Sequence, residues 1–115
     1  MYKFSSKSQR KLDECHEDIQ IICQHLIKYI DFTVITGYRS KEEQKVMVEQ
    51  GKSKTMNSKH NNMPSLAIDI APYPIDWNNR ERFYYLAGYF MGIAKMLKAV
   101  GTIESEFRFG GDWGS

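Results

Sequence analysis

The segment from Lys52 to Ser65 shows no helical or strand periodicity and runs straight into the apolar stretch Leu66-Ala67-Ile68-Asp69-Ile70, which Pro72 and Pro74 close. A polar loop of that length in a small domain is either functional or disordered. It separates two predicted strands with only one brief helix between them, and no Gly-rich phosphate turn follows either strand, which argues against a doubly wound parallel sheet. The same segment places His60 at the edge of turn-prone residues and Asp69 inside an apolar run. One donor from a loop and one from a strand is an arrangement a zinc site can use. A carboxylate buried in such a run needs a metal or a cation to neutralise it.

The remaining elements follow from pattern. Ser6 with Gln9 has capping-box form, and Leu12, Cys15, Ile19, Ile22, Leu26 and Ile30 recur at three- and four-residue steps. This predicts one long amphipathic helix over roughly residues 7 to 29. His16 and His25 then lie on opposite faces of it and read as structural or exposed. Phe32-Thr33-Val34-Ile35-Thr36 is β-branched and aromatic and reads as a strand. Gly37-Tyr38-Arg39 turns into a second capping box, Ser40 with Glu43, opening a short helix that Gly51 closes. Leu66 to Ile70 is the second strand. Asp76 or Asn78 caps a third helix with the apolar face Phe83, Leu86, Ala87, Phe90, Ala94 and Leu97, and Gly101 ends it. Gly88 and Gly92 inside it each cost about 1 kcal/mol relative to alanine, which close approach to another backbone would offset. Glu106-Phe107-Arg108-Phe109 alternates as an edge strand does. Helices segregated around a small antiparallel sheet make an α+β domain, with about three strands and three helices.

Composition bounds the rest. With 115 residues, 42% of them apolar, residues 1–115 form a single domain with one core. A net charge of +2 is too small to argue for nucleic acid. Lys52, Lys54 and Lys59 read as a solvated basic loop or, more sharply, as a loop that attracts an acidic substrate or an anionic cell wall. No run of eighteen apolar residues spans a membrane, and the amino terminus lacks the apolar stretch of a signal peptide, so cytoplasmic synthesis is expected. Cys15 and Cys23 on one helix are separated by roughly 12 Å of rise, beyond disulfide reach, and are expected as reduced thiols.

The run Ser58-x-His60, then Pro64-Ser65-x-Ala67-x-Asp69-Ile70-x-Pro72, resembles the motif of the zinc D-alanyl-D-alanine carboxypeptidase and L-alanyl-D-glutamate endopeptidase family, closest to its small phage endolysins. Thr36-Gly37-Tyr38-Arg39-Ser40 with Glu43-Gln44 and Gly51 matches a second motif of that group. Asp76-Trp77, Arg82-Phe83 and Arg108-Phe109-Gly110-Gly111-Asp112-Trp113 match a third. The resemblance implies a Hedgehog/DD-peptidase-like fold. It makes His60 and Asp69 two of three protein ligands to Zn2+, and Arg39 the fixed cation that stabilises charge on the scissile carbonyl oxygen. It gives Ser58, Asp112 and Trp113 supporting or substrate-contacting roles.

The implied activity is hydrolysis of a peptidoglycan stem-peptide amide, between L-alanine and D-glutamate, by a monomer that reaches the host cell wall after release. In the family a further strand with the pattern Asp-x-x-His supplies the general base and the third ligand. Here the chain reads Gly110-Gly111-Asp112-Trp113-Gly114-Ser115, so weakened zinc affinity and little hydrolysis are expected until that pattern is restored. The alternatives are a catalytically inactive Hedgehog-like binding module, a truncated fragment, or a carboxypeptidase trimming terminal D-alanine.

Overall fold

Ser5 opens the fold by accepting the backbone N–H of Ser8 on its hydroxyl at 3.1 Å, and helix α1 runs Ser6–Asp13. A computed structural model describes residues 2–108. The single helix expected over roughly 7 to 29 is broken after Asp13. At the break Cys15 bridges to Ser65: the N–H of His16 donates to the Ser65 carbonyl, and the N–H of Ser65 to the Glu14 carbonyl, each at 2.8 Å. Backbone groups committed to a distant loop no longer extend the helical ladder. His16 instead caps helix α2, Glu17–Leu26, its Nδ1 accepting the N–H of Asp18 at 3.0 Å. Apolar spacing carries on across the break, which is why periodicity alone reads through it. The two cysteines therefore do not share a helix, and both are free and buried.

Strand β1, Phe32–Thr36, pairs antiparallel with β2, Asp69–Pro72, in the register Val34 with Ile70 and Thr36 with Asp69. The step between those pairs is a bulge at Ile35, whose carbonyl accepts the Lys11 ammonium at 2.9 Å. Among the described residues the sheet has two strands. The strand expected over Leu66 to Ile70 begins three residues later, because Ser65 is tied to Cys15 and Leu66 donates to the Lys59 carbonyl at 3.0 Å.

Residues 106–108 form no strand, and Phe109 lies outside the described residues. The Asp18 carboxylate holds the Glu104 and Ser105 N–H groups, Lys98 pairs with Glu106, and Phe107 meets Phe90 edge-on with ring centroids 5.6 Å apart. These contacts keep the segment on the helices and off the sheet edge.

Helix α3, Lys41–Glu49, carries the expected capping box, and Gly51 follows at φ 72°, a left-handed conformation that glycine adopts freely. Helix α4, Arg80–Ala99, is capped by Asn79, not by Asp76 or Asn78. Gly88 and Gly92 meet open space, so no close backbone approach offsets their cost. The core joins Leu12 of α1, Ile19, Ile22 and Leu26 of α2, Val34 and Ile70 of the sheet, and Leu86, Phe90 and Leu97 of α4. Among the described residues no helix is long and apolar enough to cross a membrane.

Candidate metal and catalytic site

The end of β1 and the turn before β2 are latched together by their backbones. Ser58 caps a 3-10 turn, Lys59–Asn61, its hydroxyl accepting the N–H of His60 at 3.1 Å while its own N–H donates to Asn61 Oδ1 at 2.8 Å. The N–H of Arg39 donates to the His60 carbonyl at 2.8 Å, and Asn61 Nδ2 donates to the Arg39 carbonyl at 2.7 Å. Two residues far apart in sequence are thereby fixed side by side.

His60 is 8% exposed, and its Nδ1 lies 2.7 Å from the Gly37 carbonyl oxygen. A carbonyl only accepts, so Nδ1 carries the hydrogen, and Nε2 is the ring nitrogen turned toward Asp69. That nitrogen is 3.4 Å from Asp69 Oδ2, and Arg39 Nη2 is 3.7 Å from the same oxygen. Arg39 Nη1 donates to Gln44 Oε1 at 2.9 Å, which fixes the plane of the guanidinium. Glu43 beside it serves the helix cap. The N–H and hydroxyl of Ser40 hold its carboxyl below the ordinary value against the opposing effect of burial, and the Arg39 charge adds to them.

Asp69 departs from expectation in one respect. It is not sunk in an apolar strand but is the first residue of β2, with 44% of its side chain exposed. The bulge at Ile35 pairs it with Thr36 at the mouth of the sheet, next to Gly37. Its neutralising partner is Arg39, and burial places no demand on it.

An imidazole nitrogen and a carboxylate oxygen only 3.4 Å apart call for a proton or a cation between them. The donor types are those zinc takes, so the pair fits as part of a zinc site. Among the described residues no third His, Cys, Asp or Glu joins them. Asp112 and Trp113 lie outside the described residues. Ser58 touches the backbone of His60 and so holds the turn that presents the ring.

The motif match took in Gly37, Gln44 and Ser65 without assigning them chemistry, Gly37 having only a turn, and it left Asn61 out. Ser65 is fully buried, and its hydroxyl reaches both the Gly37 carbonyl at 3.1 Å and the Ala67 carbonyl at 2.7 Å. The signal for Gln44 was a polar residue one turn past the capping serine, where a short helix places its inward face.

The sequence profile of the phage L-alanyl-D-glutamate peptidase family matches residues 1–115. Among solved structures, the L-Ala D-Glu endopeptidase ChiX of Serratia marcescens is similar with a TM-score of 0.68 and 24% identity, over 97% of this chain and 81% of that one. At that identity the likeness speaks for the fold. A search of curated proteins finds no match.

Proposed function

The chain belongs to the phage L-alanyl-D-glutamate peptidase family, and from that premise we propose that it hydrolyses the L-alanyl-D-glutamate amide of peptidoglycan stem peptides with zinc as its cofactor. The observation that carries this reading is the convergence of His60 Nε2 and Arg39 Nη2 on one oxygen of Asp69, at 3.4 and 3.7 Å. A structural ion pair between Arg39 and Asp69 alone gives no reason for an imidazole held by its far nitrogen to turn its other nitrogen to the same oxygen.

His60 Nε2 and Asp69 Oδ2 would hold the metal. When bound, zinc supplies Lewis acidity, which polarises an amide carbonyl and acidifies water. The chain's own groups do the rest. The Gly37 carbonyl keeps the proton of His60 on Nδ1, so the ring stays oriented for ligation. Arg39, with 14% of its side chain exposed and one nitrogen fixed on Gln44, directs its other terminal nitrogen toward the half-exposed Asp69. A cation held that way stabilises negative charge as it develops on the carbonyl oxygen and loses little to reorganisation. The action belongs at the cell wall of the host, where the stem peptide is.

A second reading, an inactive module that binds without cutting, is favoured by the lack of a third ligand among the described residues. Incubating the chain and zinc with a purified disaccharide-peptide, and reading products by mass spectrometry, separates the two. A new D-glutamate amino terminus, lost in His60→Ala and Asp69→Asn, supports the peptidase. Release of terminal D-alanine alone would reassign the bond. No cleavage, together with no zinc retained after dialysis in zinc-replete buffer, would sink the proposal in favour of the binding module.

A further inference from the structure

Helix α3 is docked by a glutamine. Its one buried side chain is Gln44, fully excluded from solvent, while Val46 on the same helix is 47% exposed. An amide at such a position costs free energy unless every polar atom is paired, and an apolar residue of similar size would fill the volume without that cost. All the polar atoms of Gln44 are paired. Its Oε1 accepts from Arg39 Nη1 at 2.9 Å, and its Nε2 donates to Ser53 Oγ at 2.9 Å and to the Thr55 carbonyl at 2.7 Å. Glutamate lacks the donors for this set, and lysine lacks the acceptor.

The two ends of the amide serve different parts of the site. On one side is the guanidinium of Arg39. On the other is the start of the loop that ends at His60. From Thr55 the loop is held link by link: Thr55 Oγ1 accepts from the N–H of Asn57 at 3.1 Å, Lys41 Nζ donates to the Met56 carbonyl at 3.1 Å, and Ser58 caps the His60 turn. We propose that Gln44 is the positioning residue of this site, fixing the Arg39 guanidinium and the His60 loop relative to each other through a single amide plane. The proposal rests on the reading of Arg39 as the cation at the scissile carbonyl.

The test has an arm that needs no turnover. Restricted rotation should give Arg39 separate terminal-nitrogen signals in the nitrogen-15 spectrum of the parent chain, assigned by their absence in Arg39→Ala; averaged signals in the parent overturn the proposal. In Gln44→Met they should merge while the backbone amide fingerprint stays that of a folded chain. Gln44→Glu keeps the acceptor and loses both donors, so it should leave the Arg39 signals separate and speed amide exchange over residues 55–60 about 10-fold. Unchanged Arg39 signals in a folded Gln44→Met chain overturn the proposal, and so does unchanged loop exchange in Gln44→Glu.

With a cleavable peptide, Gln44→Met should lower kcat about 10- to 100-fold with KM little changed, as misplacement of a charge-stabilising group does. The double variant with Arg39→Ala should be no slower than Arg39→Ala alone. Losses that add would mean Gln44 does not act through Arg39. If Arg39→Ala cleaves as fast as the parent, the assigned role of Arg39 fails, and the spectroscopic arm still decides whether Gln44 positions it.

Discussion

The carbonyl oxygen of Gly37 and Nδ1 of His60 are 2.7 Å apart, and this contact decides which ring nitrogen is available to a ligand. Gly37 reaches that place because it has no side chain. A Cβ there would lie 2.3 Å from the Lys11 carbonyl oxygen, a backbone atom on the last turn of α1.

Gly37→Ala is therefore expected to push the end of β1 away from α1 and to carry the carbonyl with it. Overpacking against backbone costs about 1–3 kcal/mol, and the urea midpoint should fall accordingly. Zinc affinity should fall as well, since the ring loses its fixed partner. An alanine variant with the parent's midpoint and the parent's zinc affinity would contradict this account of the site.

Acid stability should depend on Asp18. Burial opposes ionisation of this carboxyl, but the hydroxyl and N–H of Ser105, the N–H of Glu104 and the nearby His16 outweigh it and hold it below its ordinary value. The hydroxyl contact is 2.5 Å and the two N–H contacts are 3.0 and 3.2 Å. A carboxyl depressed in the folded state contributes its full stability above the unfolded value, near about 3.9, and loses it as pH falls through the lower folded value. Asp18→Asn should lower stability at pH 7 by about 1.5–3 kcal/mol, the range for hydrogen bonds to a charged group. The gap from the parent should close as the pH drops below about 4. A gap that is constant from pH 7 to pH 2 would show that the charge plays no part.

Both thiols should be silent in the native chain. Burial, with the Glu14 charge adding to it, pushes Cys15 up to about 11, and burial pushes Cys23 up further, with Cys15 adding to it. A thiol-specific disulfide reagent at pH 8 should label neither residue until denaturant is added, and then both. The linkage runs toward alkali: the unfolded chain releases these protons above about pH 8.5 while the folded chain keeps them, so stability falls as pH rises past that point. Rapid labelling of the folded chain at pH 8 would be inconsistent with the packing around α2.

Much of this was written in the sequence where a signal is local. The cap at Ser40, the strand over Phe32–Thr36 and the helix through Phe83 and Leu97 depend on neighbours a few residues away, and the structure has them. His60, Asp69 and Arg39 were legible through a motif, and the structure brings them together. What was missed depends on partners distant in sequence. The helix break at Cys15 is caused by Ser65, and the late start of β2 by the same bridge. The exposure of Asp69 follows from a bulge on the other strand. Gln44 was legible as part of a motif, but its partners were not, because Ser53 and Thr55 reach it only once the loop folds over the helix.

Ser65 and Ser58 make a final contrast, since both lie on the loop and both hydrogen-bond near His60. Ser65 is fully buried, and its hydroxyl is shared between the Gly37 and Ala67 carbonyls. Ser65→Ala leaves the Ala67 carbonyl short of that donor, while the Gly37 carbonyl keeps its His60 partner. It should cost about 1–3 kcal/mol of stability and leave zinc affinity close to that of the parent. Ser58→Ala removes the cap of a half-buried one-turn helix, with a cost of about 1 kcal/mol. That loss falls on the turn that presents the imidazole, so zinc affinity should drop more than in Ser65→Ala although the chain is the more stable of the two. Chemical denaturation and zinc titration of both variants test this crossing. If the two properties fall together in the same order, Ser58 has no separate hold on the His60 turn.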